Sequence, residues 1–188
     1  EGRASETLKK DNRVFKNVSS FIIGDNLVAL RAARKKAQSL GFKSFILTSA
    51  DHGEAREAAK KYVSFLMNLS TSKKISTDLL CFLAGGELTV TVKGKGRGGR
   101  NTEFALAALL EAGNLLTKTK DWLIMSLASD GRDGLTDAAG AWIGPATLER
   151  ARKLELNPEN YLDNNDSYNF FKRTGGLILT GPTQTNVM

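Results

Sequence analysis

Apolar positions along the 188-residue chain switch between two periods, and the switches predict its elements. Ser20-Phe-Ile-Ile23 is a short continuous apolar run, the pattern of a buried strand, and Gly24-Asp25-Asn26 supplies a turn and helix N-cap behind it. From Leu27 to Leu40 apolar residues recur at helical spacing, and Gly41 stands where a left-handed residue ends a helix. Ser44-Phe-Ile-Leu-Thr48 predicts a second strand and Glu54 to Leu69 a second helix, followed by a polar connector over 70–77. Strand, helix, strand and helix in this order imply right-handed crossovers and parallel pairing. Leu79–Leu83 and Leu88–Val92 predict two further strands, and Ala84-Gly-Gly-Glu87 between them is short enough for an antiparallel hairpin. Beyond these the pattern predicts a helix from Thr102 to Ala112, a strand Trp122–Leu127, a helix from Pro145 to about Leu154, a short helix at Tyr168–Phe171 and a last strand Leu177–Leu179. Residues 1–19 read as a linker or loose helix. The expected architecture is one layered α/β domain over 20–188, with a mixed sheet flanked by helices.

Composition narrows the class. Hydrophobic residues make up 41% and charged residues 25%, which is globular rather than disordered. The net charge is +7, and much of the excess lies in Lys-Lys and Arg-Lys-Lys stretches on helical segments, where solvated faces account for it. Nucleic-acid surfaces interleave aromatics with their cations, and aromatics are only 7% here. The charge therefore suits a small anionic substrate at least as well as RNA. Cys81 is the single cysteine and sits within the apolar run Leu79–Leu83, so a disulfide framework is excluded and the usage points to the cytoplasm. Core packing is favoured over a nucleophilic role, because the one histidine, His52, lies 29 positions away in another unit. No run approaches the roughly 20 apolar residues of a membrane helix. The first residue is not Met and the last, Met188, follows a Gly-Pro-Thr loop, so a domain cut from a longer chain is expected.

From Lys93 to Arg100 only glycines and cations occur, four of each, between a predicted strand and a predicted helix. Glycine reaches φ > 0 without penalty, so such a loop can turn backbone N–H groups inward. It ends at a helix N-terminus, which favours an anion. Lys95, Arg97 and Arg100 add full charges, and a phosphate cradle is the expected role. Gly94, Gly96 and Gly99 satisfy G-x-G-x-x-G, yet the acid that should follow the next strand is displaced to Asp130. Gly94 and Gly99 have P-loop spacing, but Arg100-Asn101 replaces Lys-Ser/Thr. The alternatives are a flexible basic hairpin without a ligand, or one that grips RNA backbone.

Asp130-Gly-Arg-Asp-Gly-Leu-Thr-Asp137 follows a strand, the usual place for ligands in open α/β sheets. Three carboxylates here suit a hydrated Mg²⁺ carrying substrate phosphates, or a base for an attacking hydroxyl, while an Asx-turn and N-cap is the plain reading. Asp163-Asn-Asn-Asp-Ser167 and Thr180-Gly-Pro-Thr-Gln-Thr-Asn186 also follow apolar segments. Four such loops suggest one shared site.

In order along the chain stand Gly85-Gly-Glu87, Thr91-Val-Lys-Gly, Gly98-Gly-Arg-Asn101 with Glu103, Asp130-Gly-Arg-Asp-Gly134, Thr136-Asp-Ala-Ala-Gly-Ala141, Asn164-Asn-Asp-Ser167 and Gly181-Pro-Thr with Thr185-Asn186. This set resembles the C-terminal part of the glycerate 2-kinase family, the portion called the MOFRL domain, from about residue 20 to the end. The resemblance implies ATP-dependent, Mg²⁺-assisted phosphorylation of D-glycerate to 2-phosphoglycerate, in a cleft shared with an N-terminal kinase domain that holds a catalytic lysine. By itself this chain is then expected to be inactive. The family's important arginine maps to Arg100. Beside Arg100, Asp130 and Asp133 of the acidic loop are the expected catalytic residues. Lys95, Arg97, Gly98, Gly99, Asn101, Glu103, Asn165, Asp166, Ser167, Thr183 and Asn186 are expected to line the substrate and phosphate, and Asp133 and Asp137 to hold the metal, with the division of base and metal roles among the three acids left open. Three positions depart from the family pattern: Ala128-Ser129 for Gly-Thr, Thr102 for Gln and Gln184 for Gly. A kinase for a related hydroxy acid, or a non-catalytic anion- or RNA-binding module, are the other readings; oligomeric state is left open.

Overall fold

The computed structural model describes residues 7–9, 11–71, 79–115 and 121–187. Helix α1 (Asn26–Ser39) starts where Asp25 caps it, its carboxylate accepting from the Val28 N–H at 2.8 Å. It ends at Leu40, with Gly41 beyond at φ 87°. Strand β1 (Lys43–Glu54) leads straight into α2 (Ala55–Thr71), and β2 (Leu80–Thr89) follows. The basic loop then enters α3 (Arg100–Leu115). The remainder is β3 (Ile124–Leu127), β4 (Gly140–Ile143), α4 (Pro145–Lys153), α5 (Pro158–Asp163), α6 (Ser167–Thr174) and β5 (Leu177–Ile178). Prolines open α4 and α5, where the missing N–H costs nothing, and Gly175 stops α6 at φ 76°.

The strands form two sheets. β1 pairs parallel with β2, from Lys43 opposite Leu80 to Glu54 opposite Thr89. β3, β4 and β5 form an antiparallel sheet in that order. α3 lies at the centre and is buried from Thr102 to Leu109. The α2 residues Ala55, Ala58, Ala59 and Val63 meet it, and Phe170 and Phe171 of α6 close the same core. Full burial of each phenylalanine is worth roughly 1.5–3 kcal/mol. The layered α/β architecture is as expected, with the parallel and antiparallel pairings divided between two sheets.

Several local expectations differ from the structure. Ser20–Ile23 is not a strand: Phe21, Ile22 and Ile23 are 83%, 86% and 100% exposed in an irregular stretch. The expected hairpin over 79–92 is one continuous strand, β2, parallel to β1. Ala84-Gly85-Gly86-Glu87 looks like a turn but runs extended, because Gly86 crosses so close to Asp51 that a Cβ would fall 2.1 Å from its carbonyl oxygen. β1 runs on to Glu54 through two register irregularities, and β4 and α5 have no counterpart in the apolar pattern. Most of the 70–77 connector lies outside the described residues.

Candidate functional site

The basic loop does not hold its amides open. Lys93 and Gly94 N–H groups both donate to Asn165 Oδ1, at 2.8 and 2.9 Å. The Lys95 N–H donates to Asn164 Oδ1 and the Gly96 N–H to the Asn164 carbonyl. The Arg97 N–H donates to Asp166 Oδ1 at 2.8 Å, and the Arg97 carbonyl accepts from Tyr168 N–H. Five successive amides are thus taken by residues 164–166. The glycines serve this close docking, since a Cβ at Gly94 or Gly96 would lie 2.2–2.3 Å from Asn164 or Asp166 atoms. The expected phosphate cradle is filled by the protein's own loop.

The anion expected at the N-terminus of α3 is also internal. Gly99 precedes the helix and has no capping side chain, so Asp133 supplies the cap from another loop. Its Oδ1 accepts from Asn101 N–H at 2.9 Å and Asn101 Nδ2 at 3.1 Å, and its Oδ2 from Thr102 N–H at 2.8 Å and Thr102 Oγ1 at 2.7 Å. Only 1% of Asp133 is exposed. A carboxylate so committed neutralises the positive helix end and completes the cap. It does not have the open oxygens expected of a metal ligand or proton acceptor. Thr102 Oγ1 accepts in turn from Gly99 N–H and Ser167 Oγ, and Ser126 Oγ donates to Asn101 Oδ1. Ser167, Asn101 and the backbone of Gly99 therefore act as joints between loops, and Gly98 passes so close to Ser167 that a Cβ would lie 2.3 Å from its hydroxyl.

Glu103 and Asn165 are buried as well. Glu103, 2% exposed, accepts from Arg56 Nε at 2.7 Å and from Asn165 Nδ2 at 2.9 Å. Arg56 Nη2 also donates to the Leu162 carbonyl at 2.6 Å. Asn165 adopts φ 51°, a left-handed conformation that asparagine tolerates, which aims its amide at the basic loop. Glu54 at the end of β1 accepts from Thr91 N–H and from the hydroxyls of Thr89 and Thr91, bonds that hold its carboxyl below the ordinary range.

Other groups face outward. Lys95 and Arg97 are exposed, and the Arg97 guanidinium lies 5.1 Å from the Tyr168 ring centre. Arg100 donates from Nη1 to Glu87 Oε1 at 2.7 Å. Asp130 is exposed, accepts from Arg132 N–H in an Asx-turn, and its carbonyl accepts from Thr183 N–H. The Thr183 hydroxyl bonds to the Ser129 carbonyl, so the 180–186 loop rests on the 129–131 turn, and Asn186 is exposed. Gln184 stands at φ 57°, a conformation that glycine adopts without cost. Burial pushes the Cys81 thiol up, which disfavours the thiolate. Among the described residues no three His, Cys, Asp or Glu side chains are grouped to hold a metal, and no helix is long and apolar enough to cross a membrane.

Asp137 is held by a bond from Tyr168 Oη to its Oδ1 at 2.7 Å, which lowers the carboxyl and raises the phenol. The lowered carboxyl contributes stability present above about pH 3.9 and lost as pH falls through its folded value. The raised phenol contributes stability present below about pH 10 and lost as pH rises through its folded value. The pair is therefore constant across neutral pH. Tyr168→Phe should move the Asp137 titration up toward about 3.9, as read by carboxyl-carbon NMR, and an unmoved midpoint would contradict this assignment.

The loops expected to converge do so: 93–100, 130–137 and 164–167 meet around the start of α3, and 180–186 rests on the turn at 129–131. Arg56 and Tyr168 were not anticipated as parts of this region, and Glu87 and Thr102, which stand within the family motifs, were given no role in it. Thr102, three residues after Gly99, is readable as a reversed capping box. The pairings of Arg56 and Glu87 carry no local signal, since their partners lie 47 and 13 residues away.

The profile of the MOFRL family matches residues 80–188, more than half of the chain. The chain belongs to the MOFRL family. All four loops of the region fall in whole or main part within that match. The MOFRL chain is 37% identical over 187 residues to the glycerate 2-kinase of Pyrococcus horikoshii, covering 99% of itself and 41% of that protein. It is 36% identical over 180 residues to the D-glycerate 2-kinase of Thermotoga maritima, covering 96% of itself and 42% of that protein. The crystal structure of a glycerate kinase from Thermotoga maritima superposes with a TM-score of 0.83 at 37% identity, over 91% of this chain and 40% of that one. The chain thus spans about two fifths of the length of the relatives it matches.

Proposed function

We propose that this chain forms one wall of the active site of a cytoplasmic glycerate kinase, which transfers the γ-phosphoryl group of ATP to the 2-hydroxyl of D-glycerate. The observation that carries the reading is Arg100, held at the entrance of α3 with Lys95 and Arg97 on the same loop, in a chain similar over nearly its whole length to glycerate 2-kinases. Phosphoryl transfer relies on positioning and charge neutralisation rather than covalent chemistry. Arg100 is suited to both, since a guanidinium grips a carboxylate or phosphate through two parallel bonds and lysine does not. Lys95 and Arg97 draw the anionic substrates in. Asp130, exposed beside the turn, is the acid available either to accept the hydroxyl proton or to ligate Mg²⁺.

The relatives' greater length accommodates a second domain, N-terminal to this one, that completes the cleft. Mg²⁺ uses one or two carboxylates together with substrate phosphates. Asp130 fits that requirement, Asp137 does so only by sharing its Tyr168 bond, and Asp133 does not, its oxygens being occupied. When bound, the ion supplies charge neutralisation on the phosphates. Buried Glu103 and Asn165, with Asp166 and Ser167, shape the loop from behind rather than touching substrate.

In a full-length kinase carrying this chain, Arg100→Lys should lower turnover by about a hundredfold or more with unchanged melting behaviour, the range for loss of a charge-stabilising donor. A near-normal rate would sink the clamp. The RNA-binding reading would instead be favoured by a salt-dependent shift of RNA that neither glycerate nor nucleotide alters.

A further inference from the structure

Folding alone does not account for the Arg100–Glu87 pair. Its side chains are 40% and 50% exposed, and ion pairs so wet contribute little to stability. Yet the contact is short, at 2.7 Å, and it joins two separate elements. Arg100 opens α3, where the helix dipole disfavours a cation. Without a partner, its long side chain would turn toward solvent. Glu87 reaches it from β2, whose course beside β1 depends on the close crossing at Gly86. The recorded bond engages one terminal nitrogen of the guanidinium, and arginine carries five N–H donors. An end-on contact of this kind fixes the orientation of the fork and leaves its other donors for a second anion.

We infer that Glu87 is a positioning residue, whose carboxylate holds Arg100 in the orientation that receives the carboxylate of the hydroxy-acid substrate. This rests on the kinase reading and adds which substrate group Arg100 grips. The choice between carboxylate and phosphate follows from charge. The Arg100–Glu87 pair is neutral as a unit, so it accepts a monoanion through the guanidinium edge. A polyanionic phosphate at the same place would face repulsion from Glu87 only a few ångströms away.

The test is steady-state kinetics on a full-length kinase carrying this chain, with Glu87→Ala, Glu87→Gln, Arg100→Ala and the Arg100→Ala/Glu87→Ala double variant. Glu87→Ala should raise the KM for D-glycerate about tenfold, within what a small misplacement of a binding group costs. The KM for ATP and the melting temperature should stay as they are. Glu87→Gln retains an oxygen that accepts from Nη1 and should recover most of the loss. In the Arg100→Ala background, Glu87→Ala should have no further effect. An unchanged glycerate KM, an equal rise for both substrates, or additive losses in the double variant would overturn the positioning role. If Arg100→Ala is itself impaired, the fault lies with that role alone. If Arg100→Ala works normally, the kinase reading of Arg100 falls first.

Discussion

Arg56→Ala should destabilise the protein by about 3 kcal/mol, the lower end of the range for removing one partner of a buried ion pair, because Glu103 is buried while the Arg56 side chain is 26% exposed. Its partner Glu103 is 2% exposed and loses its counter-charge with the guanidinium. The same change removes the bond to the Leu162 carbonyl, which ties α2 to α5. Asn165 Nδ2 would remain as a donor to Glu103 at 2.9 Å, too little to compensate a full charge. Urea unfolding followed by circular dichroism measures the effect. Combining Arg56→Ala with Glu103→Gln should restore part of the loss, since no buried charge is then left alone. A loss below about 1 kcal/mol for Arg56→Ala would show that water reaches Glu103, and the buried-pair account would fail.

Asp133→Ala should cost about 3 kcal/mol, and lower the melting temperature by roughly 6–12 °C for a chain of this size. The substitution strips the N-terminus of α3 of its cap and leaves two backbone donors and two side-chain donors without their acceptor. Those groups are buried or half-buried and have no easy route to water. Asp133→Asn should fall between, because one amide oxygen can serve one side while its NH₂ group confronts donors on the other. If Asp133 were chiefly a metal ligand, Asp133→Ala would abolish activity yet leave the melting temperature within about a degree, and that result would refute the cap.

The physical link between these two predictions is the preparation of the basic loop. Arg56 fixes Glu103, Glu103 orients Asn165, and Asn165 accepts the first two amides of the loop. Asp133 fixes the start of α3, from which Arg100 projects. Side chains that look like site residues in the sequence thus divide into two groups. Glu103, Asp133, Asn165 and Ser167 are committed inward, while Lys95, Arg97, Arg100 and Asp130 remain at the surface. Polarity and motif membership do not separate the groups, because a carboxylate that caps a helix and one that meets a substrate are spelled alike.

Every helix except α5 was legible because its apolar positions repeat every three to four residues or its ends carry local signals. Asp25, Gly41 and Pro145 act on neighbours within four residues. The strands were legible as apolar runs but not in their pairing. Gly85-Gly86 has turn composition and so suggests a hairpin over Leu79–Val92, whereas Gly86 answers to Asp51 on the adjacent strand and Gly85 to the Asn26 side chain. Phe21–Ile23 has the composition of a buried strand and is left exposed, since burial requires a partner surface that local composition does not specify.

By itself, then, the sequence determined the α/β class, the place of every helix except α5, the loops that meet near α3 and the resemblance to glycerate 2-kinases through their ordered motifs. All of these depend on periodicity, on caps, or on residues close together along the chain. Only the tertiary structure decided that the glycine-rich loop is docked rather than open, that Asp133 caps α3, and that Arg100 is paired with Glu87. Each of those facts is a contact across 13 to 72 residues of chain, at hydrogen-bond distance. Such contacts are fixed by the packing of α2, α3 and α6 into one core, which places distant side chains within 3 Å and leaves no local trace in the pattern.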